Sequence, residues 1–149
     1  MISINQIKEL RQKTNISVKD CKKALEEAAG DFNKALEILK ERGEEVFKKK
    51  KERETKEGAI GIYLHQNKKI GAIVKVLCES DFVAKNEIFQ NLCHELAMQI
   101  TAMEPEKIDD LLNQVYIKDV KKTIKDLVEE TIAKLGENIK IEEFKRFEI

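Results

Sequence analysis

The chain has no tryptophan and a single proline, Pro105, in 149 residues. Six glycines leave little material for low-complexity linkers. Aromatic residues make up only 5%, so any core must be mainly aliphatic. The cysteines, Cys21, Cys78 and Cys93, are odd in number and widely spaced, with no CxxC pair. That argues against a disulfide scaffold and against a zinc site built on cysteine pairs. Neither sign of charge dominates: 28 basic and 28 acidic residues give a net charge of zero. A dedicated nucleic-acid binder carries a basic excess. No apolar run approaches the ~18 residues a membrane helix needs. Residues 1–6 lack the basic segment and apolar stretch of a secretory signal. The expectation is a cytoplasmic protein with neither a membrane nor a direct nucleic-acid partner.

What is present is charge, 38% of residues, over a sufficient apolar share of 42%. This profile belongs to a helix-rich protein with a long solvated surface. The length allows one ordinary domain, or a small module joined to a compact one. Ser3 and Gln6 have capping-box spacing, and Ile4, Ile7 and Leu10 follow on one helical face. Ser17 and Asp20 mark a second start, with Cys21, Ala24, Leu25 and Ala28 on its stripe and Gly30 as its stop. Asp31 caps a third helix carrying Phe32, Ala35, Leu36 and Leu39, expected to end near Gly43. Residues 1–43 therefore read as a three-helix bundle. Cys21 is expected in its core. Ile16 and Val18 lie between the stripes, either tucked under the bundle or offered to a partner.

Residues 44–57 read as an exposed connecting helix, with favourable pairs Glu44–Lys48 and Glu45–Lys49 and a lysine run at 48–51. From residue 58 the period changes to two. Ile60, Ile62 and Leu64 alternate, a polar turn follows at 66–69, and Ile70, Ala72, Val74, Val76 and Cys78 alternate again. This predicts a β-hairpin. Asn86 caps a helix with Phe89, Leu92, Cys93, Leu96 and Ile100 on its inner face. Pro105 opens a short helix through Leu112, and a long helix is expected over 118–135, stopped by Gly136. Residues 138–147 read as a third strand. The fold class is α+β: a three-helix bundle, a connecting helix, and over 58–149 a small antiparallel three-stranded sheet packed with helices.

Catalytic signatures are missing. There is no Walker loop, no GxGxxG and no GxSxG. His94-Glu95-Leu96-Ala97-Met98 starts like a zinc-protease helix, but Met98 stands where the second histidine ligand is needed. Cys93 and His94, as helix neighbours, point about 100° apart and cannot act as a nucleophile pair. No catalytic residue, metal or cofactor is expected. One segment does attract notice, Glu79-Ser80-Asp81-Phe82-Val83-Ala84-Lys85-Asn86, where a strand ends and an acid and a large aromatic arrive together. Either Asp81 caps the next helix and Phe82 staples it to the sheet, or the two form a rigid probe aimed at another protein.

Three stretches in order carry a resemblance over the whole chain. The first is LRQKTN at 10–15 with DCKKALEEA at 20–28 and Gly30-Asp31 after it. The second is CESDFVAKN at 78–86. The third is GENI at 136–139, then Phe144 and RFE at 146–148. Together they resemble the elongation factor Ts family, nucleotide-exchange factors of the translational GTPase elongation factor Tu. The resemblance implies that the bundle is a ubiquitin-associated-type domain docking on the GTPase, with Arg11, Val18 and Lys19 at the contact. It implies that Ser80, Asp81, Phe82 and Val83 form the segment that intrudes beside the nucleotide and dislodges magnesium. Ser80 stands where threonine is usual and keeps the hydroxyl. Longer members carry two copies of the core module. Only one is found here, which implies a homodimer through the sheet module. The competing expectation is a non-catalytic adaptor that binds a protein through its bundle without affecting GDP release.

Overall fold

A computed structural model describes residues 2–14, 16–50 and 52–149, with the backbone alone over 44–50. Two compact units are distinguished, Met1–Lys49 and Lys50–Ile149. In the first, the Ser3 N–H donates to Gln6 Oε1 (2.9 Å) and the Gln6 N–H to Ser3 Oγ (3.2 Å), closing the box that opens α1, Ile4–Thr14. Ser17 Oγ accepts the Asp20 N–H and starts α2, Val18–Glu27. Gly30 takes a left-handed φ of 85°, and its N–H closes on the Leu25 carbonyl, so α2 stops there. Asp31 Oδ1 then accepts the Lys34 N–H at the head of α3, Phe32–Lys50. Leu10, Cys21, Ala24, Leu25, Ala28, Ala35 and Leu39 form the core, with Ile16 half-buried against it and Val18 exposed. Ile4 is exposed as well, and Ile2 packs in its stead.

Gly43 does not end α3. A glycine stops a helix by turning left-handed, and only Gly30 and Gly136 among the described glycines do so. The helix continues to Lys50, and by Glu57 the chain is in a strand, so 44–57 is not a separate connecting helix. The side-chain pairs expected at Glu44–Lys48 and Glu45–Lys49, the lysine run 48–51, and Asn15 lie outside the described residues or side chains.

The second unit begins with β1, Glu57–Leu64, and β2, Ile70–Cys78, antiparallel with Ile62 opposite Ile73. There follow α4, Asp81–Ala84; α5, Glu87–Met103; α6, Ile108–Asn113; β3, Val115–Tyr116; β4, Asp119–Thr123; α7, Ile124–Leu135; and β5, Lys140–Glu148. The main sheet runs β1-β2-β5, all antiparallel, with β2 in the centre. Its inner face, Ala72, Val74, Val76, Cys78 and Ile141, is buried together with Phe89, Leu92, Leu96 and Ile100 of α5. Helix and strand come very close at one point. A Cβ on Gly61 would lie 2.2 Å from the Cys93 carbonyl oxygen, so only glycine fits. The outer face leaves Ile60, Ile62, Leu64, Ile73 and Phe147 exposed.

The long helix expected from residue 118 starts only at Ile124. Before it, Val115 pairs with Thr123 and Tyr116 with Asp119 in a small hairpin. A tertiary contact holds this hairpin extended. Gln99, fully buried on α5, donates through Nε2 to the Val115 carbonyl (3.1 Å) and accepts the Ile117 N–H (3.0 Å). Thr123 then caps α7, its Oγ1 accepting the Asp126 N–H. The short helix expected at Pro105 begins instead at Ile108. There Asp110 accepts the Lys107 N–H (3.2 Å). Among the described residues no helix is long and apolar enough to cross a membrane.

Candidate functional site

The segment after β2 is built by a chain of caps. The strand ends at Cys78, and Ser80, with extended backbone, becomes the N-cap of α4. Its Oγ accepts the Val83 N–H (3.2 Å). Asp81 is therefore not the cap; it lies in the first turn, beside Lys85 at 3.8 Å, both well exposed. An ion pair so open to solvent adds little stability. Val83 and Ala84 turn inward and are buried, which fixes the single turn of helix to the core. Asn86 Oδ1 accepts the Ile88 N–H (2.8 Å) and starts α5.

Phe82 does not staple α4 to the sheet. It stands 82% exposed on the side opposite the buried pair. Burying a phenylalanine is worth about 1.5–3 kcal/mol, and this position forgoes that gain. Asp81 and Phe82 thus form an exposed acid and aromatic on a helical turn whose other half is anchored.

Behind the turn lies a set of hydrogen bonds that spacing alone does not reveal. Glu137 Oε1 accepts the N–H groups of Glu79 (3.1 Å) and Ser80 (3.0 Å), and its Oε2 accepts the Ser80 hydroxyl (2.6 Å). Glu79 Oε2 accepts the Asn138 N–H (2.6 Å) in return and faces the Arg53 guanidinium at 3.7 Å. Gly136, left-handed at φ 75°, ends α7 and delivers Glu137 to this place. The Cys78 thiol donates to the Ser80 carbonyl (3.2 Å). Burial, and then the Glu137 charge, push that thiol up to about 11. It is held as a neutral donor. Pattern marks Gly136 as a helix stop and Asn138 as a strand start, while Glu137 between them enters only through the family resemblance. Nothing in its spacing pairs it with residues nearly sixty positions earlier.

Other sequence candidates separate. Arg11 is exposed on α1, and Val18 and Lys19 on the first turn of α2. Cys93 is buried, its thiol pushed up to about 12 by burial and then by Cys78. His94 is exposed, with its ring edge-on to Tyr63 at 5.9 Å between centroids. The two do not form a reactive pair. Among the described residues no cluster of His, Cys, Asp and Glu could hold a metal ion.

Comparison with known proteins places the chain among its relatives. The family model described as elongation factor TS matches residues 79–149, which begin at the clamped segment and run through β5. Elongation factor Ts of Thermoanaerobacter sp. (strain X514) is 39% identical, over 99% of this chain and 95% of its own length. The protein of the same name from Thermodesulfovibrio yellowstonii is 38% identical over 99% and 96%. That from Thermosipho melanesiensis is 38% identical over 100% and 99%. The first of these alignments runs over 193 positions against 149 residues here, so that relative carries residues with no counterpart in this chain. With identity at this level over nearly the whole of each chain, the protein belongs to the elongation factor Ts family of translation elongation factors.

Proposed function

We infer that this chain is a guanine-nucleotide exchange factor. It binds elongation factor Tu carrying GDP, displaces the magnesium ion and promotes GDP release so that GTP can enter. The observation that carries this reading is Phe82, an exposed aromatic beside an exposed carboxylate on an anchored turn. An aromatic on a fixed mount is suited to filling an apolar gap in a partner, where such residues supply most of the binding energy.

Exchange of this kind makes and breaks no covalent bond. The factor binds the nucleotide-free GTPase better than the GDP form, and by linkage GDP weakens the factor in equal measure. Each tenfold loss of GDP affinity requires about 1.4 kcal/mol of differential binding. Phe82 wedges in near the magnesium site, and loss of the ion strips the phosphates of their largest counter-charge. Ser80 and Val83 hold the turn, and Asp81 lies beside the wedge. Arg11, Val18 and Lys19, all exposed on the helical unit, form the docking contact with the GTPase domain. A second copy of the chain covers the outer sheet face. Ile60, Ile62, Leu64, Ile73 and Phe147 there make an apolar patch of the kind that marks an interface.

The test is release of a fluorescent GDP from elongation factor Tu, with and without the chain. Strong acceleration by the parent is expected, lost in Phe82→Ala and reduced in Asp81→Ala. Phe82→Ala should fold normally because the ring is exposed. If that variant accelerates release as well as the parent, the wedge is wrong. If the folded parent has no effect, a binding adaptor is left.

A further inference from the structure

The grip on Ser80 does more than end a strand. Its N–H and its hydroxyl both go to Glu137, while its carbonyl accepts from the Cys78 thiol and from the Ala84 N–H (3.1 Å). A serine hydroxyl has one proton and two lone pairs. With the proton committed to Glu137 Oε2 at 2.6 Å, a lone pair is left for the Val83 N–H. The carboxylate therefore decides which way the cap faces. Val83 is the buried anchor of the turn, and Phe82 is its immediate neighbour. The Glu79–Asn138 bond ties the same two backbone segments together in the opposite sense, beside the Glu137–Ser80 pair.

We propose that Glu137 is a positioning residue for nucleotide exchange: its carboxylate sets the Ser80 cap and, through it, the aim of Phe82. The proposal rests on the exchange reading above. A loop already ordered before binding loses less conformational freedom on docking, so the carboxylate acts as preorganisation rather than as a contact with the partner.

Glu137→Gln is close to isosteric. It keeps an oxygen for the two backbone N–H groups but offers an amide where the Ser80 proton needs an acceptor. Its expected effect is a maximal GDP-release rate lowered roughly tenfold, the size of one hydrogen bond lost at a charged acceptor. Hydrogen exchange at the Val83 amide should accelerate. On a Ser80→Ala background, Glu137→Gln should add no further loss of rate. A purely structural role would lower the melting temperature without this dependence on Ser80. A Glu137→Gln rate equal to that of a working parent overturns the proposal, and so does an undiminished further loss on the Ser80→Ala background. If the parent itself does not accelerate release, the exchange reading fails and takes this role with it. Val83 hydrogen exchange then still reports whether the carboxylate orders the turn.

Discussion

Replacing Gly61 by alanine sets one methyl group against the backbone of α5. The added Cβ would sit 2.2 Å from the Cys93 carbonyl oxygen and 2.5 Å from its carbonyl carbon. Comfortable carbon contacts lie near 3.5–4.0 Å, so helix and strand must part by roughly 1 Å or more. The obstacle is backbone, and no rotamer change relieves it. The gap would open along the buried row Phe89, Leu92, Leu96 and Ile100, which packs this helix on the sheet. Overpacking of this sort costs about 1–3 kcal/mol, and a rigid neighbour places it toward the upper end. For a unit of about 100 residues each kcal/mol lowers the melting temperature by roughly 4–8 °C. A fall of about 10–20 °C is therefore expected. Circular dichroism melts of parent and variant at equal concentration measure it. A variant melting within about 2 °C of the parent would refute the claim that this contact sets the helix–sheet spacing.

Gly43→Ala should act in the opposite direction. The site is helical, the space around it is open, and a gain of about 0.5–1 kcal/mol is expected in the melt of the full chain. The buried thiols predict an alkaline limit. Both ionise near 9 in the unfolded chain but only near 11 (Cys78) and 12 (Cys93) in the folded one. Their contribution is complete below pH 9 and is lost as pH rises toward 11 and 12, at up to ~1.4 kcal/mol per pH unit for each thiol. Urea midpoints from pH 9 to 11 should fall more steeply for the parent than for Cys93→Ala; equal slopes would refute this. Ile62→Asp places a charge in the outer sheet face. Sedimentation equilibrium should find a parent dimer and a monomeric, folded variant.

Much of the fold was legible because local pattern and tertiary outcome agree. Ile60, Ile62 and Leu64 alternate because they occupy one face of β1, although that face is the exposed one. The stripe from Phe89 to Ile100 is buried as its spacing implies. The failures have separate causes. Val120 sits at helical offsets from Ile124 and Leu127, yet Gln99, nearly twenty residues away, holds the neighbouring backbone in a hairpin. Gly43 has the composition of a stop without the left-handed backbone that makes one. At the candidate site the pairing of acid and aromatic is visible in the sequence, but the cap is Ser80 and not Asp81, the residue one of the two readings offered. Periodicity could not say whether Phe82 turns in or out. The Glu137 clamp was invisible because its partners meet only when the sheet unit is assembled.

That last dependence has a consequence for synthesis. A growing chain emerges amino end first, at about 5–20 residues per second. The turn bearing Phe82 is made early in the sheet unit, but its acceptor lies 57 and 58 positions later. β2 likewise stays without one neighbour until β5 arrives. A nascent chain that has not reached Glu137 carries the aromatic without its mount. Until then the turn bearing Phe82 lacks the carboxylate that its backbone and the Ser80 hydroxyl bond in the finished fold, so its order depends on residues made much later.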